Sequence, residues 1–520
     1  QRQMCIRDRY KMMSLGKTTG VFQFESDGMR RVLIQLKPEN LEDLIAIISL
    51  YRPGPSESIP KYIFNKHNPD KITYKHPVLK NILNVTYGCM VYQEQVMEIC
   101  RVAAGYSYGR ADLVRRAMAK KKHDVMEKER NIFLYGNKND DGTTECCGAI
   151  ANGINEKTAN EIFDEMSGFA SYAFNKSHAA AYAYLSYQTA YLKCHYMKEY
   201  MAALMSSVLG NTDKLSEYVE ECRQNEIKIL RPDINKSYAE FTAEENGIRY
   251  GLLAIKNIGK GIILSIIEER EKNGVFQSLD NFCERTSELN ISKIIVENLI
   301  KSGSFDNLGA NRREMISNYE YIMDSYSHFT RKNIEGQMNL FPDGNNRIHQ
   351  KFKFKSQEEY KYNDLLEFEK LSTGMYISGH PLDEFRIYTK LMKLNSISKI
   401  KNNKYLNKTV EEKIIGVLDD ITIHYTSTGK KMAFLNIQDI TGQISCTLFP
   451  EAYNLYKNKL QIGDILYIYG KISNKEAFET SIICNNLYSK SEFKNIAESK
   501  SLCIKPVSYT HLTLPTNSRV

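Results

Sequence analysis

The hydrophobic pattern of this 520-residue chain changes period along its length, and that change limits the folds open to it. From about Thr18 to Leu230 apolar residues recur at helical spacing. Leu41, Leu44, Ile45, Ile48 and Ser49 step by three and four, and Ala179 to Leu209 is a long run of Ala, Tyr, Leu and Met. Between Leu230 and Tyr250 the pattern loosens through Pro232, then alternates from Ala239 to Tyr250, which marks a boundary. Gly251 to Gly309 reads as two short helix pairs punctuated by glycine, and Asp324 to Tyr362 as a polar, Asn/Lys-rich linker. After Gly374 the text turns to strands: Lys413–Val417, Met432–Ile437, Gln443–Phe449 and Ile465–Ile472. Turn signals at Thr428-Gly429 and Asp439-Ile440-Thr441-Gly442 separate them. Four or five such strands predict a small barrel, so the expected fold class is multidomain α+β, mostly helical first and β last.

Composition excludes several classes. Roughly three or four domains are expected at this length. Hydrophobic residues make up 42% and charged residues 25%, and no apolar run reaches the ~18 residues of a membrane span, so no membrane partner is expected. The 11 cysteines include no C-x-x-C pair, and the adjacent Cys146 and Cys147 have neither zinc-knuckle nor disulfide-framework spacing. Reduced thiols in a cytoplasm are the simplest account. A net charge of +8 permits a polyanionic partner without requiring one. The strings QRQMCIRDRY and PVSYTHLTLPTNSRV, residues 1–10 and 506–520, read as translated sequencing-adapter text and are set aside from the fold.

The most informative stretch is Ser171 to Thr189. It places Asn175, Lys176, Ser177 and His178 immediately before an Ala-rich run with the makings of a helix. A helix start carries unpaired N–H groups and about half a positive charge, so added donors and a lysine suit a phosphate. The same residues also suit an ordinary N-cap with solvated Lys and His. A second cationic element spans Arg110 to Arg130. At 100° per residue Arg115, Arg116, Lys120 and Lys122 share one arc of a helix, with Leu113, Val114, Ala117 and Met118 over much of the other. Such a face is either simply solvated or holds charge rigidly against a phosphate chain. In Ile255 to Leu264, IKNIGKGIIL, Gly259 and Gly261 would let backbone approach a phosphate while Ile255, Ile258 and Ile263 hold two helices together. Gly16-Lys17-Thr18 is no phosphate loop, because Lys11 stands where the first glycine belongs. The lone His380 of Gly379-His380-Pro381 has no metal-ligand spacing and is expected to pack or cap.

Taken in chain order, these segments resemble a known family. Gly20-Val21-Phe22-Gln23-Phe24-Glu25-Ser26 with Gly28-Met29, then Leu50-Tyr51-Arg52-Pro53-Gly54-Pro55, Tyr87-Gly88 and Tyr92-Gln93-Glu94-Gln95-Val96-Met97 precede the basic element and the Asn175–His178 motif. Together they resemble the bacterial replicative DNA polymerases of the C family, the polymerase III alpha subunits of the DnaE type. The resemblance implies fingers over residues 11–230, a helix-hairpin-helix DNA-binding domain over 231–323, a linker with a sliding-clamp motif over 324–370, a connecting segment over 371–407 and an OB barrel over 408–490. It further implies nucleotide contacts by Arg115, Arg116, Asn175, Lys176, Ser177 and His178. DNA contacts fall to Lys120, Lys122, Gly259, Lys260 and Gly261, and clamp contacts to Gln337, Leu340 and Phe341 of Gln337-Met338-Asn339-Leu340-Phe341. The implied partners are primer-template DNA, dNTP, single-stranded DNA at the OB domain, the sliding clamp and other replicase subunits. Stacking candidates on the barrel are Tyr425, Phe434, Phe449, Tyr467 and Tyr469; alternate strand residues face inward, so some of these are core.

The family's chemistry uses Mg2+ held by an Asp-x-Asp pair and a third aspartate of the palm. No Asp-x-Asp occurs in this chain, and Pro232-Asp233-Ile234-Asn235 ends in asparagine. The resemblance therefore implies a C-terminal fragment lacking PHP domain, palm and thumb, with no catalytic residue and no metal ligand of its own. A free-standing, non-enzymatic DNA-binding protein built from the same modules is the alternative.

Overall fold

The computed structural model describes residues 2–119, 123–138, 142–170, 173–332, 352–402, 410–473 and 480–499. They form two compact units, Gln1–Leu204 and Met205–Val520. The first unit is helical: α1 (Arg2–Ser14), α2 (Asp27–Leu36), α3 (Leu41–Leu50), α4 (Ile59–His67), α5 (Lys80–Leu83), α6 (Gln93–Ala104), α7 (Tyr108–Ala119), α8 (His123–Tyr135), α9 (Glu156–Ala170) and α10 (Lys176–His195). A two-stranded ribbon of β1 (Asn137–Lys138) and β2 (Thr144–Cys146) follows α8, and α11 (Met197–Ser207) begins in this unit.

One core of this unit gathers α1 to α4 and α10. Within α3, Leu44, Ile45, Ala46, Ile47 and Leu50 are all buried, so the helix is enclosed on most of its circumference. Its cap is Asn40, whose side chain accepts from Asp43 N at 2.9 Å. Asp43 is buried yet matched: Lys66 Nζ lies 3.0 Å away, and the Tyr87 hydroxyl donates to it at 3.0 Å. Along α10, Ala179, Ala183, Ser186 and Ala190 form a buried seam of small side chains in this same core. The second core of the unit is built from α6 to α9, with Phe133 and Phe163 at 5.6 Å.

The basic element is described on either side of residues 120–122. Its described parts are α7 (Tyr108–Ala119) and α8 (His123–Tyr135), and Lys120 and Lys122 lie outside the described residues. Val114 and Met118 anchor α7 as expected, but Leu113 is 63% exposed. At the start of the chain, Tyr10 is buried against Tyr187, and the Arg9 guanidinium lies over the Tyr187 and Tyr191 rings at 4.4 Å each. Two of the residues set aside as adapter text thus pack on α10.

The second unit begins with α12 (Thr212–Gln224) and a small sheet of β3 (Ile229–Leu230), β4 (Thr242–Glu244) and β5 (Gly247–Arg249), ordered β3-β5-β4. Then come α13 (Lys260–Asn273), α14 (Leu279–Arg285), α15 (Lys293–Lys301), α16 (Arg312–Lys332), α17 (Tyr362–Thr373), α18 (Arg386–Leu391) and α19 (Ile397–Asn402). A closed barrel follows, built of β6 (Glu411–Tyr425), β7 (Lys431–Gln438), β8 (Gln443–Leu448), β9 (Ile465–Ser473) and β10 (Ser481–Ser489) in the order β10-β8-β7-β6-β9. The β8–β10 pair is parallel and the others antiparallel, and α20 (Pro450–Tyr456) lies between β8 and β9 in the chain. Gly470 permits closure, since a Cβ there would sit 2.2 Å from the Ile483 carbonyl oxygen on β10. The final described helix is α21 (Lys490–Ser499).

The expected linker is partly structured. α16 runs past residue 323, and α17 begins within 324–370 and ends beyond it at Thr373. Asn311 Nδ2 donates to Gln357 O at 2.7 Å, and Arg312 N donates to Glu359 at 2.9 Å, which ties residues before α17 to the start of α16. Beneath them lies a buried charge network. Arg312, 2% exposed, makes paired bonds of 2.8 Å to both oxygens of Asp306 and reaches Glu369 at 3.2 Å. Glu369, fully buried, also accepts from Ser378 N at 3.0 Å and from the Ser378 hydroxyl at 2.6 Å. Removing one partner strands a charge in a dry site. His380 sits nearby, its Nδ1 accepting from Leu382 N at 3.1 Å, its Nε2 unpartnered and its ring against Tyr376. Burial pushes its pKa down to about 4.

Two outcomes are expected. Glu369→Ala should lower unfolding free energy by about 3–5 kcal/mol, read from urea denaturation, whereas Glu369→Leu with Arg312→Met should lose less than either single change. His380 is neutral when folded, and its ordinary pKa is 6.5. Its contribution is fully present above that value and declines as pH falls towards about 4, where the unfolded chain binds a proton that the folded chain refuses. The loss should approach ~3 kcal/mol, and His380→Gln should flatten that part of the stability–pH curve.

Candidate nucleotide and nucleic-acid interface

At the start of α10 the backbone leaves Asn175 extended, and its side-chain oxygen accepts from His178 N at 2.9 Å, so Asn175 caps the helix. The next free backbone donor, Lys176 N, meets both oxygens of Glu94 at 3.1 Å each, and Asn175 Nδ2 reaches the same carboxylate at 3.2 Å. Glu94 projects from the first turn of α6. Lys176 Nζ pairs with Glu42 of α3 at 3.0 Å. Ser177 is exposed and its hydroxyl makes no hydrogen bond among the described residues.

Arg115 is brought to this place through Gln93. The Gln93 backbone N donates to Phe174 O at 2.9 Å, its side-chain amide donates to Ala173 O at 3.0 Å, and its Oε1 accepts from Arg115 at 2.9 Å. Arg115 also donates to Asp112 at 2.7 Å, and Arg116, 65% exposed, pairs with the other Asp112 oxygen at 2.7 Å. The hydrogen bond from Arg115, helped by Arg116, holds the Asp112 carboxyl below its usual range. His178 belongs to a different feature. Its ring stands 5.4 Å from Phe174 and 4.5 Å from Tyr182, Tyr182 stands 5.4 Å from Phe22, and the Arg52 guanidinium lies 4.5 Å above Phe174. Arg52 is exposed and has no ion-pair partner among the described residues. Sequence reading assigned no role to Arg52, Gln93 or Glu94 individually. Glu94 is 82 residues from Lys176, and nothing in local pattern announces such a pairing.

The glycine turn is arranged for backbone contact. Ile255, Ile258 and Ile263 are buried, and Asn257 takes the left-handed conformation at φ 64°. Gly259 is the N-cap of α13 and supplies no side-chain cap, while Gly259, Lys260 and Gly261 are exposed, with open space where a Cβ would stand on either glycine. The N–H groups of the first turn therefore face solvent. Before the turn stands a single 3-10 turn, Leu252–Ala254, where a full helix was expected. A second copy went unnoticed: Asn290-Ile291-Ser292-Lys293 repeats Asn257-Ile258-Gly259-Lys260, again with a left-handed Asn at φ 50° and no side-chain cap on α15. Its lysine pairs with Asp324 at 2.9 Å. The repeated Asn-Ile-x-Lys was the available signal.

The barrel sorts its aromatics. Tyr425, Phe434 and Phe449 are exposed at 67%, 37% and 49%, whereas Tyr467 is 5% exposed and belongs to the core. Tyr469 is hydrogen-bonded to Glu411. Along the β6–β7 hairpin, His424 packs edge-on to Phe434 at 5.2 Å, and Lys431 Nζ lies 5.8 Å from the Tyr425 ring centre. Gln337, Leu340 and Phe341 lie outside the described residues. Among the described residues no three His, Cys, Asp or Glu come together to hold a metal ion, and no helix is long and apolar enough to cross a membrane.

Family comparisons follow the same order. The bacterial DNA polymerase III alpha subunit finger domain matches residues 6–141, the helix-hairpin-helix motif residues 226–315, and the OB-fold nucleic acid binding domain residues 413–489. The finger match ends before α10. The chain is 40% identical over 492 residues to the DNA polymerase III subunit alpha of Borreliella burgdorferi, covering 93% of this chain and 41% of that protein. It is 39% identical to the subunit of the same name from Bacillus subtilis, covering 89% of this chain and 40% of that protein. The chain thus spans about two fifths of the length of these curated relatives. With three domain matches in chain order and this identity across nine tenths of its length, the chain belongs to the family of the bacterial DNA polymerase III alpha subunit.

Proposed function

We propose that this chain is the nucleotide- and DNA-holding portion of a replicative polymerase that extends a primer 5′ to 3′ from dNTPs. The convergence of Lys176, Arg115 and the start of α10 through Gln93 carries this reading, because cations and N–H donors assembled at one point suit a nucleotide's phosphates. Arg116, Asn175 and Ser177 stand with them, and His178 lends an aromatic face. The open N–H edge at Gly259, Lys260 and Gly261 would grip duplex backbone without reading bases, and the Asn290–Lys293 copy offers a second grip. Tyr425, Phe434 and Phe449 would stack single-stranded bases. Lys120 and Lys122 extend the DNA contacts, and Gln337, Leu340 and Phe341 form the clamp-docking peptide in a cytoplasmic replicase with further subunits.

Magnesium would be held in the whole polymerase by palm aspartates. The described residues here assemble no such ligand set.

The purified chain is expected to bind primed duplex DNA with an affinity that falls by ~10³ or more between about 50 and about 200 mM salt, and to extend no primer when given dNTPs and Mg2+. Extension abolished by a chelator would overturn the inactive assignment, and salt-insensitive binding would overturn the DNA assignment. Lys260→Glu should weaken duplex binding and reduce the salt slope by about one. A slope unchanged in that variant removes the hairpin from the interface.

A further inference from the structure

The charges at the start of α10 are matched by carboxylates drawn from three other helices. Glu94 of α6 receives Lys176 N on both oxygens at 3.1 Å and Asn175 Nδ2 at 3.2 Å. Glu42 of α3 takes Lys176 Nζ at 3.0 Å, and Asp112 of α7 takes both Arg115 and Arg116 at 2.7 Å. Glu94 is the anion seated on the helix end itself, bound by the donors that a phosphate oxygen would use.

We propose that Glu94 is an internal competitor for the nucleotide phosphate position, so that a nucleotide is captured at α10 only by displacing this carboxylate. The inference rests on the nucleotide reading above.

Glu94 has somewhere else to go. It occupies the first turn of α6, where a carboxylate is favoured by that helix's own N-terminal partial charge. Leaving α10 therefore strands neither the carboxylate, which is only half-buried, nor the helix end, which the phosphate would take over. Glu42 stands likewise in the first turn of α3, where that helix's own N-terminal partial charge favours the carboxylate when Lys176 Nζ turns towards the ligand. By contrast, a carboxylate meant only as a brace between α6 and α10 is unnecessary, because Tyr92 and Phe174 already form a β-bridge and Gln93 already bonds to Ala173 and Phe174. Competition lowers apparent affinity by the fraction of time the carboxylate is seated, whatever the base. Its effect is to weaken capture and ease release of any nucleotide that uses the site.

The test is titration calorimetry of the full 520-residue chain with dATP, dGTP and deoxyadenosine. Glu94→Gln keeps an oxygen for Lys176 N but removes the charge. It should tighten dATP and dGTP by the same factor of about five or more, leaving deoxyadenosine unchanged. Unchanged or weaker dATP binding in Glu94→Gln, while the unaltered chain binds and Lys176→Ala does not, overturns the competitor role and leaves the nucleotide reading standing. Absence of dATP binding by both chains overturns both. If Glu94→Gln fails to fold by circular dichroism, Glu94→Asp replaces it: the charge stays but falls one methylene short of Lys176 N. The same tightening is then expected, and its absence overturns the proposal.

Discussion

The close packing of α10 into the first core is the constraint on which the candidate nucleotide site depends. Ala179, Ala183, Ser186 and Ala190 recur along one side of the helix and are fully buried in a core shared with Leu44, Ala46 and Ile47 of α3. Small side chains let two helices approach closely, and a larger residue in such a seam would push them apart. The approach fixes the first turns of α3 and α10 together, which is why Glu42 meets Lys176. The Ala-rich text after His178 thus does more than favour a helix. It sets the distance at which charges from different helices meet.

Much of this architecture was legible because it is local. Helical spacing marked α3 and α10, and the β-branched and aromatic segments after Gly374 marked β7, β8 and β9 within a residue or so, while β6 runs on to Tyr425, well past the expected Val417. The Asn175 cap could be read for the same reason, since donor and acceptor lie three residues apart. What escaped were pairings across long separations. Arg115 meets Gln93, and Lys176 meets Glu94 and Glu42, through the fold alone. The ring contacts of His178 with Phe174 and Tyr182, each four residues away, are local, whereas the seat of Arg52 over Phe174 depends on where α3 ends.

The linker bound drawn at residue 370 takes in most of α17, for a different cause. Hydrophobic periodicity detects elements that bury apolar faces, whereas α17 buries Glu369, Ser372 and Thr373 alongside Leu366. A helix whose hidden side is polar looks like solvated text. Only the partners, Arg312 from α16 and Ser378 beyond the helix, make the burial tolerable, and neither pairing is visible in local pattern. The second hairpin was missed through a similar reliance on one signature. Ser292 stands where Gly259 stands in the first turn, and a search for glycine passed over it although the left-handed Asn is common to both.

The second hairpin and α17 meet in one piece of the second unit. The Lys256 N–H donates to Ser372 O at the end of α17 at 2.7 Å, and Lys256 O accepts from Asn298 of α15 at 3.2 Å. The turn leading to Gly259 is therefore held from behind by the helix that Glu369 anchors, while the donors at the start of α13 stay exposed. A loop that must be ordered by its ligand spends part of its binding energy on that ordering. This turn is already ordered by protein hydrogen bonds, so a phosphate meeting it would spend little. The buried charge pair at Arg312 and Glu369, remote in character from nucleic-acid chemistry, is in this way part of what would make the hairpin a ready grip.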